Sequence, residues 1–244
     1  MALYQVTIAY DGTDFFGYQR QKKRRTVQGE VENALRTIGW DGKSIASSGR
    51  TDTGTHAVGQ VISFELDWNH SADKLKNALN SALPMDIAAK DVVLAPAGFH
   101  PRFLAKQRQY LYQVFFSPDR DPVLERYYWR VWPRPDEPQL KISPTALKGL
   151  HDFSPFGRPS IIDGSTIRTV TVCEWQYDGL DKAYFRIRAE SFLYHMVRRA
   201  VFLLILVGQG KISALDIEGN LKKQKELPAG IAPAHGLFLE KVIY

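Results

Sequence analysis

The chain is poor in the residues that hold cross-links, metals and cofactors. It has one cysteine, Cys173, which excludes a disulfide framework and any zinc site built from several cysteines. The neighbours Val170, Val172 and Trp175 mark that cysteine as a buried strand position. No His-x-x-x-His, His-Glu-x-x-His or spaced aspartate series occurs, so no metal site is expected, although Asp52, His56 and Glu65 stand close in sequence. Gly42-Lys43-Ser44 has the tail of a phosphate-cradling loop, but Thr37 takes the place of its first glycine. Cofactor signatures are missing elsewhere too, and no small-molecule cofactor is expected. The most apolar run, Ala200 to Val207, follows Arg198 and Arg199 and is far shorter than the roughly 20 residues of a membrane span. It reads as a core helix. The first residues show no charged segment leading into an apolar one, so the expected compartment is the reducing cytoplasm.

What is present is a basic, core-forming composition. With 244 residues, 44% of them hydrophobic, the chain can bury one large core or two smaller ones. A net charge of +6 favours a polyanionic partner without separating RNA from DNA or an anionic membrane.

Hydrophobic period then divides the chain. Tyr4, Val6, Ile8 and Tyr10 alternate as a strand ended by Asp11-Gly12. Thr26 caps a helix whose inward face is Val27, Val31, Ala34, Leu35 and Ile38, stopped by Gly39. Two strands bracket a polar loop. A second helix runs from the Ser71 cap through Leu75, Ala78, Leu79 and Ala82 to Pro84, and Ile87 to Ala95 closes the set. The order strand, helix, strand, strand, helix, strand is that of the split βαβ, or ferredoxin-like, arrangement. The second half shows the same order: Tyr110 to Phe116, a helix from Ser143-Pro144 with Ala146, Leu147 and Leu150 inward, strands Arg168 to Tyr177 and Ala183 to Ala189, helix Tyr194 to Val207, and strand Leu237 to Ile243. The expected fold is therefore α+β, two pseudo-duplicated ferredoxin-like halves with mainly antiparallel sheets. The N-terminal half spans 1–104 and the C-terminal half 105–244. The stretch Asp119 to Pro138 fits neither template and reads as an insertion over one face.

The polar loop, Ser48 to Gln60, is broken by Gly49, Gly54 and Gly59 and carries Arg50, Asp52 and His56 at its bends. Asp52 is its single carboxylate. On residues alone, an Asx-type surface turn and an ionised nucleophile or base beside a phosphate-binding cation are both compatible with it. Arg20 to Arg25 is a run in which five of six residues are cationic, compatible with phosphate contact and with a solvated loop.

Gly49-Arg50-Thr51-Asp52-Thr53-Gly54-Thr55-His56-Ala57 resembles the Gly-Arg-Thr-Asp-x-Gly-Val-His-Ala signature of the tRNA pseudouridine synthase A family, with Thr55 in place of the usual Val. The resemblance extends to Tyr10-Asp11-Gly12-Thr13 and Gly17-Tyr18-Gln19, where relatives more often have Trp after the glycine. It continues in Arg108-Gln109-Tyr110-Leu111-Tyr112 and in Phe192-Leu193-Tyr194-His195-Met196-Val197-Arg198. Gln109 and Leu111 stand where relatives often carry Arg.

The resemblance implies isomerisation of uridine to pseudouridine in the tRNA anticodon stem-loop, positions 38 to 40, without a cofactor. Asp52 is then the catalytic carboxylate, acting as nucleophile or base. Tyr110 stacks on the target uracil and Arg198 pairs with Asp52. Arg50, His56, Arg108, Arg24 and Arg25 are the further substrate-binding residues expected. His195 and His151 are expected to be structural. The implied partners are tRNA and a second copy of the chain, a homodimer in which the basic loop of one subunit serves the other's site. A non-catalytic single-strand RNA binder is the rival on the same fold, but its Lys-Gly-Phe-Gly-Phe type of strand motif is absent.

Overall fold

Alternation along the N-terminal segment is realised as β1 (Ala2–Tyr10) in the computed structural model, which describes residues 1–159 and 163–244. Its face of Tyr4, Val6, Ile8 and Tyr10 is buried. Helix α1 (Val27–Thr37) starts where the Thr26 side chain accepts from the Gly29 amide and ends at Ile38, its C-cap. Gly39 follows with φ +96°, a left-handed stop that suits glycine. Short β2 (Ala46–Ser47) leads to β3 (His56–Leu66), and α2 (Ala72–Ala82), capped by Ser71, leads to β4 (Ile87–Leu94). β1 lies between β4 and β3, with β2 on β3, and all these pairings are antiparallel. α1 and α2 pack on each other.

The polar loop is shorter than its glycines suggested. It ends at Thr55, because Ala57 and Gln60 join the β1 ladder opposite Tyr10 and Ile8.

The chain separates into two compact units, Met1–Lys106 with Phe238–Tyr244, and Gln107–Leu237. In the second, β5 (Gln107–Phe116), β7 (Gly149–Asp152), β8 (Ile167–Asp178) and β9 (Lys182–Ala189) form the antiparallel order β5-β9-β8-β7. The Asp119 to Pro138 stretch contributes β6 (Trp129–Val131), which pairs in parallel with Val114 to Phe116 of β5.

The helix expected from Ser143 begins earlier. α3 (Glu137–Ile142) is capped by Asp136, and Ser143–Leu147 tightens into a 3-10 turn. Pro144 has no N–H for the Leu140 carbonyl, which accepts from Ser143 Oγ instead at 3.1 Å. Leu150, expected inward, lies on β7 and is 68% exposed. α4 (Met196–Gly208) is almost wholly buried among Tyr112, Phe185 and Ile187. α5 (Ala214–Leu221) has no counterpart in the sequence reading, although its Ser213 and Asp216 form a capping box.

The last strand, β10 (Leu237–Ile243), sets Phe238 and Leu239 in parallel register with His56 and Ala57 of β3. Read from sequence it closes the second half; in the structure Phe238–Tyr244 groups with the first unit. Gly59 permits this approach, since a Cβ there would lie 2.3 Å from the Glu240 carbonyl oxygen.

Candidate active site

The Asp52 loop is held from below by its own backbone and by buried polar side chains. Tyr10 Oη and Thr51 Oγ1 are 2.8 Å apart, and the Tyr18 amide donates to the Thr51 carbonyl at 3.1 Å. The Thr55 amide closes a turn on the Asp52 carbonyl at 3.1 Å, with Gly54 at φ +75°. Gln60, fully buried, accepts from Ser48 Oγ at 2.5 Å and donates to the Gly49 carbonyl at 2.9 Å. Gly12 underlies the turn: a Cβ there would stand 2.1 Å from the Thr55 carbonyl oxygen. Asp52 itself is half-buried at the crest. Arg50 is exposed and has no ion pair or hydrogen bond among the described residues.

His56 faces inward. It is 1% exposed, its ring stacks on Phe238 at 4.5 Å, and Nδ1 lies 2.9 Å from the Gly12 amide and 3.1 Å from Asp11 Oδ1. This histidine joins the Gly12 turn to the base of the Asp52 loop. Thr55 is also buried, and its Oγ1 has no hydrogen-bond partner among the described residues.

The cationic run divides by partner. Arg20 reaches Glu32, a fully buried carboxylate that also accepts from Gln28 Nε2 at 2.9 Å and the Ile45 amide at 3.2 Å. Arg25 makes a bidentate pair with Asp86 at 2.6 and 2.9 Å, lies 3.5 Å from Glu30 and covers the Phe15 ring. The bond to Asp86 raises the Arg25 pKa. Lys22, Lys23 and Arg24 are exposed and have no carboxylate partner among the described residues.

In the second unit, Tyr110 and Tyr112 point to one face of β5, as alternation requires. Tyr112 is fully buried and donates to the Pro233 carbonyl at 2.7 Å; burial raises its pKa. Tyr110 stands at the rim of that core, edge-on to Phe192 with ring centroids 5.0 Å apart. Arg108 donates to the Glu190 carbonyl at 2.7 Å.

Arg198 opens α4 and its Nε donates to the Ala232 carbonyl at 2.7 Å, while the Ala232 amide donates back to the Arg198 carbonyl at 3.0 Å. Arg199 donates to the Pro228 and Gly230 carbonyls at 2.5 and 2.9 Å, and burial lowers its pKa. Backbone carbonyls thus answer Arg199 in place of an acid. His195 sits at φ +68° with its ring stacked on Tyr194 at 3.6 Å, and His151 Nε2 lies 2.9 Å from the Lys148 carbonyl.

Sequence reasoning missed the supports: Tyr10 as a tether, Gln60 and Glu32. Glu32 had one legible sign. Gln28 and Glu32 fall one turn apart beside Val27 and Val31, a polar pair on a buried stripe. Among the described residues no group of three or more His, Cys, Asp or Glu could hold a metal ion. No helix among them is long and apolar enough to cross a membrane.

These features define an α+β protein with a preorganised acidic loop and a set of exposed cations, and comparison with known proteins places it. The family described as tRNA pseudouridine synthase matches residues 6–103 and 145–244. A tRNA pseudouridine synthase A from Geobacillus kaustophilus is 42% identical over 242 residues, 97% of this chain and 92% of that protein. Its counterpart in Halalkalibacterium halodurans is 41% identical over 234 residues, covering 94% and 88%. A third, from Fervidobacterium nodosum, is 39% identical and covers 98% of both. Among solved structures, an archaeal box H/ACA sRNP Nop10-Cbf5 complex aligns at TM-score 0.39 and 10% identity, and the chain spans 52% of that chain's length. The chain belongs to the tRNA pseudouridine synthase family, enzymes that isomerise uridine to pseudouridine.

Proposed function

We propose that the chain forms pseudouridine at positions 38 to 40 of the tRNA anticodon stem-loop, with the Asp52 carboxylate as nucleophile or base and with no cofactor. The observation that carries this reading is the fixed geometry under Asp52. Tyr10, Tyr18, Gly12 and Gln60 hold the backbone on both sides of the one carboxylate in the loop, so little reorganisation is needed when charge develops at the sugar.

The reaction breaks the C1′–N1 bond, turns the uracil, joins C5 to C1′, and transfers the balance of one proton from C5 to N1. Asp52 starts it by attacking C1′ or by removing the C2′ proton to give a glycal. The target base must first leave its stack. Tyr110, at the rim of its core, offers a ring for that uracil and a phenol for the C5 proton. Arg198 supplies the cation paired with the carboxylate, a role supported by the family motif ending at that residue. Arg50 and Arg24, both exposed, contact RNA, with Arg108 nearer the base. His56 and Arg25 serve the substrate by holding their loops, a role their internal partners favour.

The same reading includes a cytoplasmic homodimer with tRNA bound across both subunits. It also includes a pseudo-duplicated ferredoxin-like architecture. That duplication is supported by the antiparallel β1-β3-β2 order of the first unit and the antiparallel β5-β9-β8 order of the second.

One experiment tests the chemistry. A tRNA transcript tritiated at uridine C5 should release label with wild type and none with Asp52→Asn, while Asp52→Asn keeps its melting temperature and RNA affinity. Tyr110→Phe should bind normally and release label slowly, and Tyr110→Leu should lose both. Normal release by Asp52→Asn would remove the carboxylate from the mechanism, and pseudouridine mapped only outside the anticodon arm would remove the assigned target.

A further inference from the structure

Two Arg–Phe stacks stand side by side in the loop before α1, with the same spacing and opposite surroundings. Arg25 lies 4.2 Å from the Phe15 ring centroid, and Arg24 lies 4.2 Å from that of Phe16. Phe15 is 1% exposed, and its arginine is neutralised by Asp86 and Glu30. That pair is internal. Phe16 is 43% exposed, and among the described residues Arg24 has no carboxylate within ion-pair distance. An exposed phenylalanine alone means little, since single apolar side chains are common on surfaces. Here the backbone that carries the ring is held in place. Its own amide donates to the Arg25 carbonyl at 2.9 Å, and its carbonyl accepts from Gln21 Nε2 at 2.9 Å. The next residue, Gly17, has φ +81°, and a Cβ on it would lie 3.0 Å from the Thr51 carbonyl oxygen and 3.5 Å from the Asp52 carbonyl carbon. Phe16 thus adjoins the Asp52 loop through the backbone of Gly17.

We propose that Phe16, with Arg24 stacked over it, is a platform on which an unpaired base of the substrate RNA stacks beside the Asp52 loop. The base is a neighbour of the target uridine, not the target. The proposal rests on the pseudouridine synthase reading and adds a binding subsite to it. An aromatic ring under a guanidinium presents a flat, polarisable surface matched to a nucleobase, and it is tolerant of base identity. A paired base has both faces covered, so the occupant is single-stranded or splayed out. Lys22 and Lys23, exposed in the same loop, supply charge for the flanking phosphates.

The test compares Phe16→Leu, Phe16→Tyr and Arg24→Gln in full-length protein against a tRNA transcript tritiated at uridine C5. Phe16→Leu keeps apolar volume and loses the ring. It should weaken tRNA binding about tenfold, raise KM to match, and leave the slope of affinity against salt unchanged. Its single-turnover rate at saturating protein should equal wild type, and its melting temperature should not move. Phe16→Tyr should bind as wild type does. Arg24→Gln should weaken binding and lower the salt slope by about one ion. Binding by Phe16→Leu within twofold of wild type, or Phe16→Tyr as weak as Phe16→Leu, overturns the platform. A wild-type protein that binds tRNA through Phe16 but releases no tritium overturns the pseudouridine reading instead.

Discussion

The two units bury different materials. Of the twelve buried polar or charged residues among those described, nine lie in the first unit, including Glu32, Ser48, Thr51, Thr55, His56 and Gln60. The second unit has only Gln109, Ser143 and Asn220 in that class, and a core of aromatic and aliphatic side chains closed by α4. Apolar burial supplies most of the driving force for folding, but it is non-directional and tolerates exchange. Buried hydrogen bonds add little net stability and dictate position. The first unit concentrates them around the loop of Asp52, whose backbone they position. The second unit has an apolar core with Tyr110 packed at its rim, and the Nε of Arg198 is oriented by one carbonyl.

Substitutions at four positions sharpen this contrast. The largest stability loss should come from Leu204→Ala, which empties part of a fully buried helix position; about 3 kcal/mol is expected from a Leu-to-Ala cavity, read as a lower urea midpoint. Retained stability would mean that α4 repacks freely. Glu32→Leu should cost about 2 kcal/mol, because the Ile45 amide and Gln28 lose their buried acceptor. Glu32→Gln, which keeps an acceptor oxygen, should recover more than half of that loss. If leucine and glutamine prove equal in denaturant melts, the polar network does not hold this corner.

Thr55→Val should act in the opposite direction. It removes a buried hydroxyl that has no partner among the described residues and preserves the shape of the side chain. A gain of about 1 kcal/mol is expected, with tritium release unchanged. A loss of stability would show that Oγ1 is satisfied in solution.

The smallest effect concerns Asp152 in the second unit. Its bond to Lys223 holds the carboxyl below the ordinary range, helped by Thr166 and the Ser154 amide. A lowered folded-state pKa stabilises above the unfolded value, and that contribution is lost as pH falls. Lys223 is mostly exposed, so Lys223→Met should cost only about 0.5 kcal/mol near neutrality. The difference from wild type should narrow below about pH 4, where free carboxyls protonate. A gap that stays constant between pH 7 and pH 3 in thermal melts would show that the pair contributes nothing electrostatic.

Legibility from sequence followed the range of the interactions. β1, α1 and α2 were readable because a two-residue or 3.6-residue period and a capping Thr or Ser act within a few residues. The end of the Asp52 loop was not readable, since the ladder between β1 and β3, and not the glycines, decides that His56 to Gln60 is strand. The helix at Ser143 was displaced for a local reason that was visible but unused, the missing amide of Pro144. Within the site, Asp52 was singled out by its motif. The different duties of Arg24 and Arg25 were invisible, because Asp86 lies 61 residues from Arg25 in sequence.

The sequence by itself determined the element types, the apolar faces that make the cores, and the family to which the chain belongs. Those properties depend on residue type, short-range spacing and contiguous motifs. The tertiary structure alone decided which cations remain open to a polyanion, which histidine turns inward beneath the Asp52 loop, and where the last strand pairs. Each of those outcomes depends on a partner distant in the chain, and the free energy of a pair belongs to neither residue until folding brings both together.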